Sequence, residues 1–206
     1  MSHKFDAALK RDGVSVDERA LVCRGAPAGQ GSSNLQDYWT ALCDGPLERN
    51  TGRHVVTFRI LGKADEGQSG GWAVVGMAAP DGGKRAGPGG SDNSVGCGSD
   101  GTSSVGPSLA DIRKRWPKRL RGLAEASDGL QGFGEGDLLR LQLDTRSDTA
   151  GRAGEPLASN KAVLTIFLNG IEHAGYEGVP DGWHFAVGGH GDVAFEIVEP
   201  TRCVVL

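Results

Sequence analysis

Several segments of this chain carry residues of the types and spacings that do chemistry. Gly67-Gln68-Ser69-Gly70-Gly71 spells G-x-S-x-G, the string that lifts a serine nucleophile onto a sharp turn between a strand and a helix. Here the apolar run Trp72–Ala78 follows the string and reads as a strand, so a hairpin loop is expected and no nucleophile at Ser69. Gly96-Cys97-Gly98-Ser99-Asp100-Gly101 spells G-x-G-x-x-G, which cradles phosphate only between a buried strand and a helix. Its approach reads as Gly/Ser loop, so no phosphate site is expected. His184, His190 and Asp192 lie close in sequence, but a zinc or iron site needs three or four convergent ligands. Wet loop histidines are expected instead, and no metal or other cofactor. Glu135-Gly136-Asp137 offers two carboxylates, but Glu135 falls in a turn and leucines follow Asp137, so turn chemistry is expected rather than a glycosidase pair. Catalysis is therefore not expected anywhere in the chain.

Two further segments bear on partners. Arg113-Lys114-Arg115-Trp116-Pro117-Lys118-Arg119-Leu120-Arg121 holds six basic residues in nine: Arg113, Lys114, Arg115, Lys118, Arg119 and Arg121. Such a run serves nuclear import, or contact with phosphate or anionic lipid, and is otherwise a solvated basic loop. Cys203-Val204-Val205-Leu206 is a C-a-a-X string of the geranylgeranyl type, which makes Cys203 a candidate prenylation site. A single prenyl chain anchors weakly, and the basic run would be its second signal. Membrane association is expected only if Cys203 is prenylated.

The elements that must position these residues read as short strands. The chain has 206 residues, a formal net charge of -4, 34 glycines and 9 prolines. The length suits one large β domain, with or without a tail. The small charge argues against a surface built for nucleic acid. Abundant glycine favours turns over long helices. Cys23, Cys43, Cys97 and Cys203 show no C-x-x-C spacing, so reduced thiols in a cytoplasmic protein are expected. Met1–Lys10 has no apolar core to read as a signal peptide.

Strands are expected at Arg19–Cys23, Arg53–Leu61, Trp72–Ala78, Asp137–Asp144, Val163–Leu168, Phe185–Val187 and Val193–Val198. In Asp137–Asp144, Leu139, Leu141 and Leu143 alternate with Arg140 and Gln142, the period-2 pattern of a half-buried strand. Asn169-Gly170 after an apolar run is a hairpin signal. The stretch from Asp81 to Gly106 reads as a mobile insertion, and Arg146–Lys161 as a polar loop. Ser108–Ala126 is the one helical or irregular excursion, interrupted at Pro117. Many short strands with little helix argue for an antiparallel sandwich of two packed sheets. Its expected core is Val55, Phe58, Ile60, Trp72, Val74, Leu139, Leu141, Leu143, Phe167, Val187, Phe195 and Ile197.

Six blocks of this pattern occur in an order that resembles a SPRY domain. They are Thr51–His54 through Arg59-Ile60, Gly71–Gly76, Gly136–Asp144, Leu164–Gly170, Tyr176–Pro180 with His184–Val187, and Asp192–Ile197. The chain departs from the family pattern at Val56-Thr57-Phe58, at Phe185 and in the long connection from Asp144 to Leu164. The resemblance implies an all-β, concanavalin-A-like sandwich over residues 14–200, flanked by tails at 1–13 and 201–206. It also implies an interaction module that binds a peptide or protein surface through loops, as a recruiting or scaffolding adaptor. The family's binding positions carry over to Arg24, Gly71, Gly189 and His190. Arginine suits a carboxylate or backbone carbonyl, glycine lets a partner's backbone approach, and Trp183 is a candidate apolar anchor. The alternatives are a carbohydrate-binding protein on the same sandwich and a prenylated, membrane-tethered scaffold.

Overall fold

The alternation in Leu138–Asp144 resolves into two faces: Leu139, Leu141 and Leu143 are buried while Leu138 and Arg140 are exposed. The same period runs through the other strands of the computed structural model, which describes residues 3–10, 14–19, 21–25, 38–48, 51–62, 71–81, 88–89, 93–106, 109, 111–115, 130–146, 162–191 and 193–198. The strands are β1 (Phe5–Lys10), β2 (Ser15–Val16), β3 (Val22–Arg24), β4 (Trp39–Cys43), β5 (Arg53–Leu61), β6 (Trp72–Ala78) and β7 (Ser94–Gly98). They continue with β8 (Ser103–Val105), β9 (Arg113–Arg115), β10 (Leu138–Asp144), β11 (Ala162–Leu168), β12 (Ile171–Val179), β13 (His184–His190) and β14 (Ala194–Ile197). One sheet has six strands in the order β1-β4-β13-β6-β7-β8, the other eight in the order β2-β3-β14-β5-β10-β11-β12-β9. Neighbours pair antiparallel throughout. The protein is an all-β sandwich, and the described residues contain no helix.

The two sheets meet over four rings. Phe5 stacks on Phe58 at 6.0 Å. Phe58 meets Phe195 edge-on at 6.4 Å, and Phe195 meets Trp39 edge-on at 6.0 Å. Phe5 and Trp39 belong to the six-stranded sheet and Phe58 and Phe195 to the eight-stranded one, so the chain of rings crosses the layers. Fully burying each such side chain stabilises the fold by roughly 1.5–3 kcal/mol. At the β8–β9 edge, the buried Tyr176 hydroxyl donates to the Gly96 carbonyl and shares a 2.9 Å hydrogen bond with Ser103 Oγ.

Several expectations need correction. Val55 is 41% exposed and faces outward. It is three residues from Phe58, and a period of two puts positions an odd number apart on opposite faces; the core position is Val56. Phe167 is half-buried on the outer face, between the inward Ile166 and Leu168, with the Arg140 guanidinium 4.2 Å from its ring centre. Trp72 is half-buried at the start of β6, one residue before the inward Ala73. The sandwich also begins before the expected boundary at Val14. Phe5–Lys10 pairs with β4, and Phe5 is buried. The presumed mobile stretch 81–106 supplies β7, whose five residues are all buried. Part of the presumed helical excursion is β9, an edge strand on β12.

Asp144 is buried at the end of β10 and accepts from Arg146 Nε at 2.9 Å and from Arg146 Nη2. Arg53 Nη2 lies 3.5 Å away. Hydrogen bonding to Arg146, with the charge of both arginines, holds the Asp144 carboxyl down to about 2. A carboxyl depressed below its unfolded value stabilises the fold at pH values above that unfolded value and loses the contribution as pH falls through about 2. Both guanidinium groups are about half exposed, so solvent screening holds the contribution to about 1 kcal/mol. Asp144→Asn is therefore expected to lower stability at neutral pH and to match the wild type near pH 2. Denaturant titrations across that range check this, and an equal deficit at both pH values would contradict it.

Candidate interaction site at one end of the sandwich

The antiparallel order sends the end of β3, the start of β4, the end of β5, the start of β6 and the end of β13 to the same end of the sandwich. Gly25 N–H donates to the Val193 carbonyl there at 3.3 Å. The Ser99–Thr102 turn joins this end through Phe133 N–H, which donates to the Ser99 carbonyl at 3.1 Å. Four of the expected contact residues, Arg24, Gly71, Gly189 and His190, are thus brought together at one end.

Across the six-stranded sheet this end presents Tyr38, His190, Trp72 and Asp100 on successive strands or at their tips. Trp72 and His190 are directly opposed. Tyr38, just ahead of β4, reaches over the intervening β13: its ring lies 5.5 Å from that of Trp72, near perpendicular at 83°. It lies 5.5 Å from the His190 ring, tilted at 48°. All three rings are half-buried.

Asp100 is exposed in the β7–β8 turn. Its Oδ1 accepts from Thr102 N–H at 3.0 Å and from Thr102 Oγ1 at 2.7 Å, and the Trp72 indole lies near it across Gly98. Partial burial pushes the Asp100 carboxyl up, but the bonds from Thr102, with the nearby Trp72 indole, outweigh it and hold the group below the usual carboxylate range.

Glycines let these parts approach. A Cβ on Gly98 would lie 2.6 Å from Asp100 Oδ1, 2.8 Å from Thr102 Oγ1 and 2.8 Å from the Trp72 ring. A Cβ on Gly189 would lie 2.4 Å from the Trp72 carbonyl oxygen. Gly189 is therefore a buried residue of β13, needed for strand packing, and not the exposed loop glycine that was expected. Gly71 is also buried, against Gly191, which has φ 76°.

Arg24 is exposed on β3, opposite Ala194. It precedes Gly25, where a Cβ would lie 2.0 Å from Trp39 Nε1. β3 therefore lies across from β4, and Arg24 points out from the eight-stranded sheet, on the face opposite the inward Cys23. Trp183 stands at the opposite end of the sandwich. It bridges to Leu47 and is only 5% exposed, so it is a core residue and not a surface anchor.

The other motifs resolve as follows. A buried strand, β7, does lead into Gly96–Gly101, but a hairpin to β8 follows instead of a helix. His184 and His190 sit at the two ends of β13, roughly 20 Å apart at the rise of a strand. His184 is buried, with Nδ1 2.8 Å from the Cys43 carbonyl oxygen. Asp137 accepts from Gly134 N–H at 2.8 Å and from Asn169 Nδ2 at 2.8 Å, which ties its carboxylate to two turns. Burial pushes the Cys23 and Cys43 thiols up and keeps them protonated. Arg113 and Lys114 extend β9, with Lys114 Nζ donating to the Ser103 carbonyl. Ser69, Lys118, Arg119, Arg121, Asp192 and Cys203 lie outside the described residues.

Reading the sequence missed Tyr38, the surface role of Trp72, and Asp100. No signal marked Tyr38: β4 is buried along its whole length, so Trp39–Cys43 shows no polar–apolar alternation from which an outward face could be read.

No family model matches the sequence, and no curated protein matches it. Solved structures do resemble it. A human SPRY domain aligns with 17% identity and a TM-score of 0.58, over 92% of this chain and 98% of that one. The SPRY domain of human HERC1 aligns with 12% identity and a TM-score of 0.61, over 96% and 99%. The TRIM65 PSpry domain aligns with 13% identity and a TM-score of 0.53, over 97% and 90%. With the strand order and the two packed antiparallel sheets, these matches show that the chain folds as a SPRY-type, concanavalin-A-like β-sandwich.

Proposed function

We propose that this chain is a protein-interaction module, a recruiting or scaffolding adaptor and not an enzyme, that recognises a peptide or protein surface through the end of the sandwich carrying Arg24, Tyr38, Trp72 and His190. The observation that carries this reading is the convergence of the three half-buried rings of Tyr38, Trp72 and His190 at one end of the six-stranded sheet, the end of the sandwich to which β3 also brings the exposed Arg24. Aromatic and arginine side chains dominate the energetics of protein interfaces, and a site on rigid strands loses little conformational freedom on binding. The likeness to SPRY domains supports the same reading.

Affinity capture from native cells, followed by mass spectrometry, tests it. The double variant Arg24→Ala/His190→Ala is expected to keep its stability within about 1 kcal/mol, as surface substitutions do. Partners of the wild type should be depleted about tenfold or more, the loss of roughly 1.4 kcal/mol of binding. An identical set of partners at equal yield would overturn the assignment.

A further inference from the structure

Trp72 and Asp100 form a unit that contact with a neutral partner does not require. Thr102 orients the Asp100 carboxylate through two hydrogen bonds, and the Trp72 ring lies against the same turn across Gly98. Gly98 leaves the gap in which all three side chains meet. An exposed carboxylate beside an aromatic ring adds its charge to the attraction between the ring face and a cation. The Tyr38 ring stands nearly perpendicular to Trp72 at 5.5 Å, so two π systems meet at a corner. Asp100 is exposed beside that corner and supplies a full negative charge. Arg24, at the same end, points out from the eight-stranded sheet, on the other outer face of the sandwich. Arg140 over Phe167 at 4.2 Å shows the same attraction within this chain.

Taking this end of the sandwich as the recognition surface, on which the inference rests, we infer that the Trp72–Tyr38 corner with Asp100 receives a basic side chain, lysine or arginine, from the bound partner segment. The cation lies against the indole face while its N–H groups reach the carboxylate. The complementarity is of charge and quadrupole, and it commits the site to a partner segment with a basic residue at one fixed position.

A random peptide display library panned on the wild-type chain and on Asp100→Asn tests this. The asparagine keeps the acceptor for Thr102 but removes the charge. Enrichment of lysine or arginine at one position with the wild type, lost with Asp100→Asn, is the expected result. The selected peptides should bind Asp100→Asn about twofold to fivefold more weakly, the range of an ion pair at an exposed carboxylate. Thermal melting confirms that the variant folds, and Trp72→Phe, which keeps a ring that attracts a cation less strongly, should fall between the two. Peptides enriched without a basic position would overturn the inference while leaving the interaction reading intact. Failure of any peptide to enrich would count against that reading and, with it, the basic-residue contact.

Discussion

Replacing Phe195 by alanine is expected to remove about 4 kcal/mol of folding stability, enough to unfold most domains of ordinary stability at physiological temperature. Phe195 is fully buried on β14. It is the one ring in contact with both Trp39 of the opposite sheet, at 6.0 Å, and Phe58 of its own, at 6.4 Å. Truncation leaves a void between two layers whose strands are fixed by pairing within each sheet, so they collapse only partly to fill it, and two edge-on ring contacts are lost beyond the area term. Denaturant unfolding at equilibrium reads the effect. A loss below about 1.5 kcal/mol, the range of conservative swaps in a tolerant core, would show that the rings do not couple the sheets.

Gly76→Ala is the second large effect, and its cause is different. Gly76 sits in β6 with buried strands on both sides, paired to Ala186 and Gly96. A Cβ there would lie 1.9 Å from the Val95 carbonyl oxygen and 2.7 Å from the Gly96 Cα. Those atoms belong to the backbone of β7, so relief requires moving a strand and breaking its ladder. The expected cost is about 3 kcal/mol, the upper part of the range for overpacked cores. The same alanine at Gly170, where φ is 83° but no atom lies within 4 Å of the added Cβ, should cost only the strain of the left-handed backbone, about 1 kcal/mol. Melting curves of the two variants side by side separate crowding from backbone strain. Equal losses would contradict the close approach at Gly76.

The strands with the strongest signal in the sequence are those whose environment is simplest. Leu139, Leu141 and Leu143 alternate with polar residues because only one face of β10 meets the core, so the period is visible. β6 and β13 are buried on both faces. Apart from the histidines at the two ends of β13, their residues read as apolar or glycine, and nothing in the sequence says which face is inward. That is why Trp72 and Gly189 were misplaced. β7 was hidden for a further reason: Ser94-Val95-Gly96-Cys97-Gly98 looks like linker, yet its glycines are set by the backbone of neighbouring segments, with a Cβ on Gly96 lying 2.3 Å from the Pro88 carbonyl oxygen. Composition records flexibility and close packing with the same residue.

For the candidate site, Arg24 and His190 were legible through the order of the strand blocks, since each sits at a strand end that the topology sends to one end. Asp100 was not, because its significance depends on Trp72, 28 positions away, across a strand that was itself unread. Trp183 was misjudged because a tryptophan in a turn suggests exposure, whereas its bridge to Leu47 draws it into the core.

The most direct test of the central claim is to map, by amide chemical-shift perturbation on the folded chain, where a captured partner or selected peptide binds. Shifts concentrated at Arg24, Tyr38, Trp72, Asp100 and His190, with the opposite end at Leu47 and Trp183 unmoved, are the result expected of recognition through one end of the sandwich. Shifts centred on Leu47 and Trp183, or spread over the outer face around Val55 and Phe167, would contradict it.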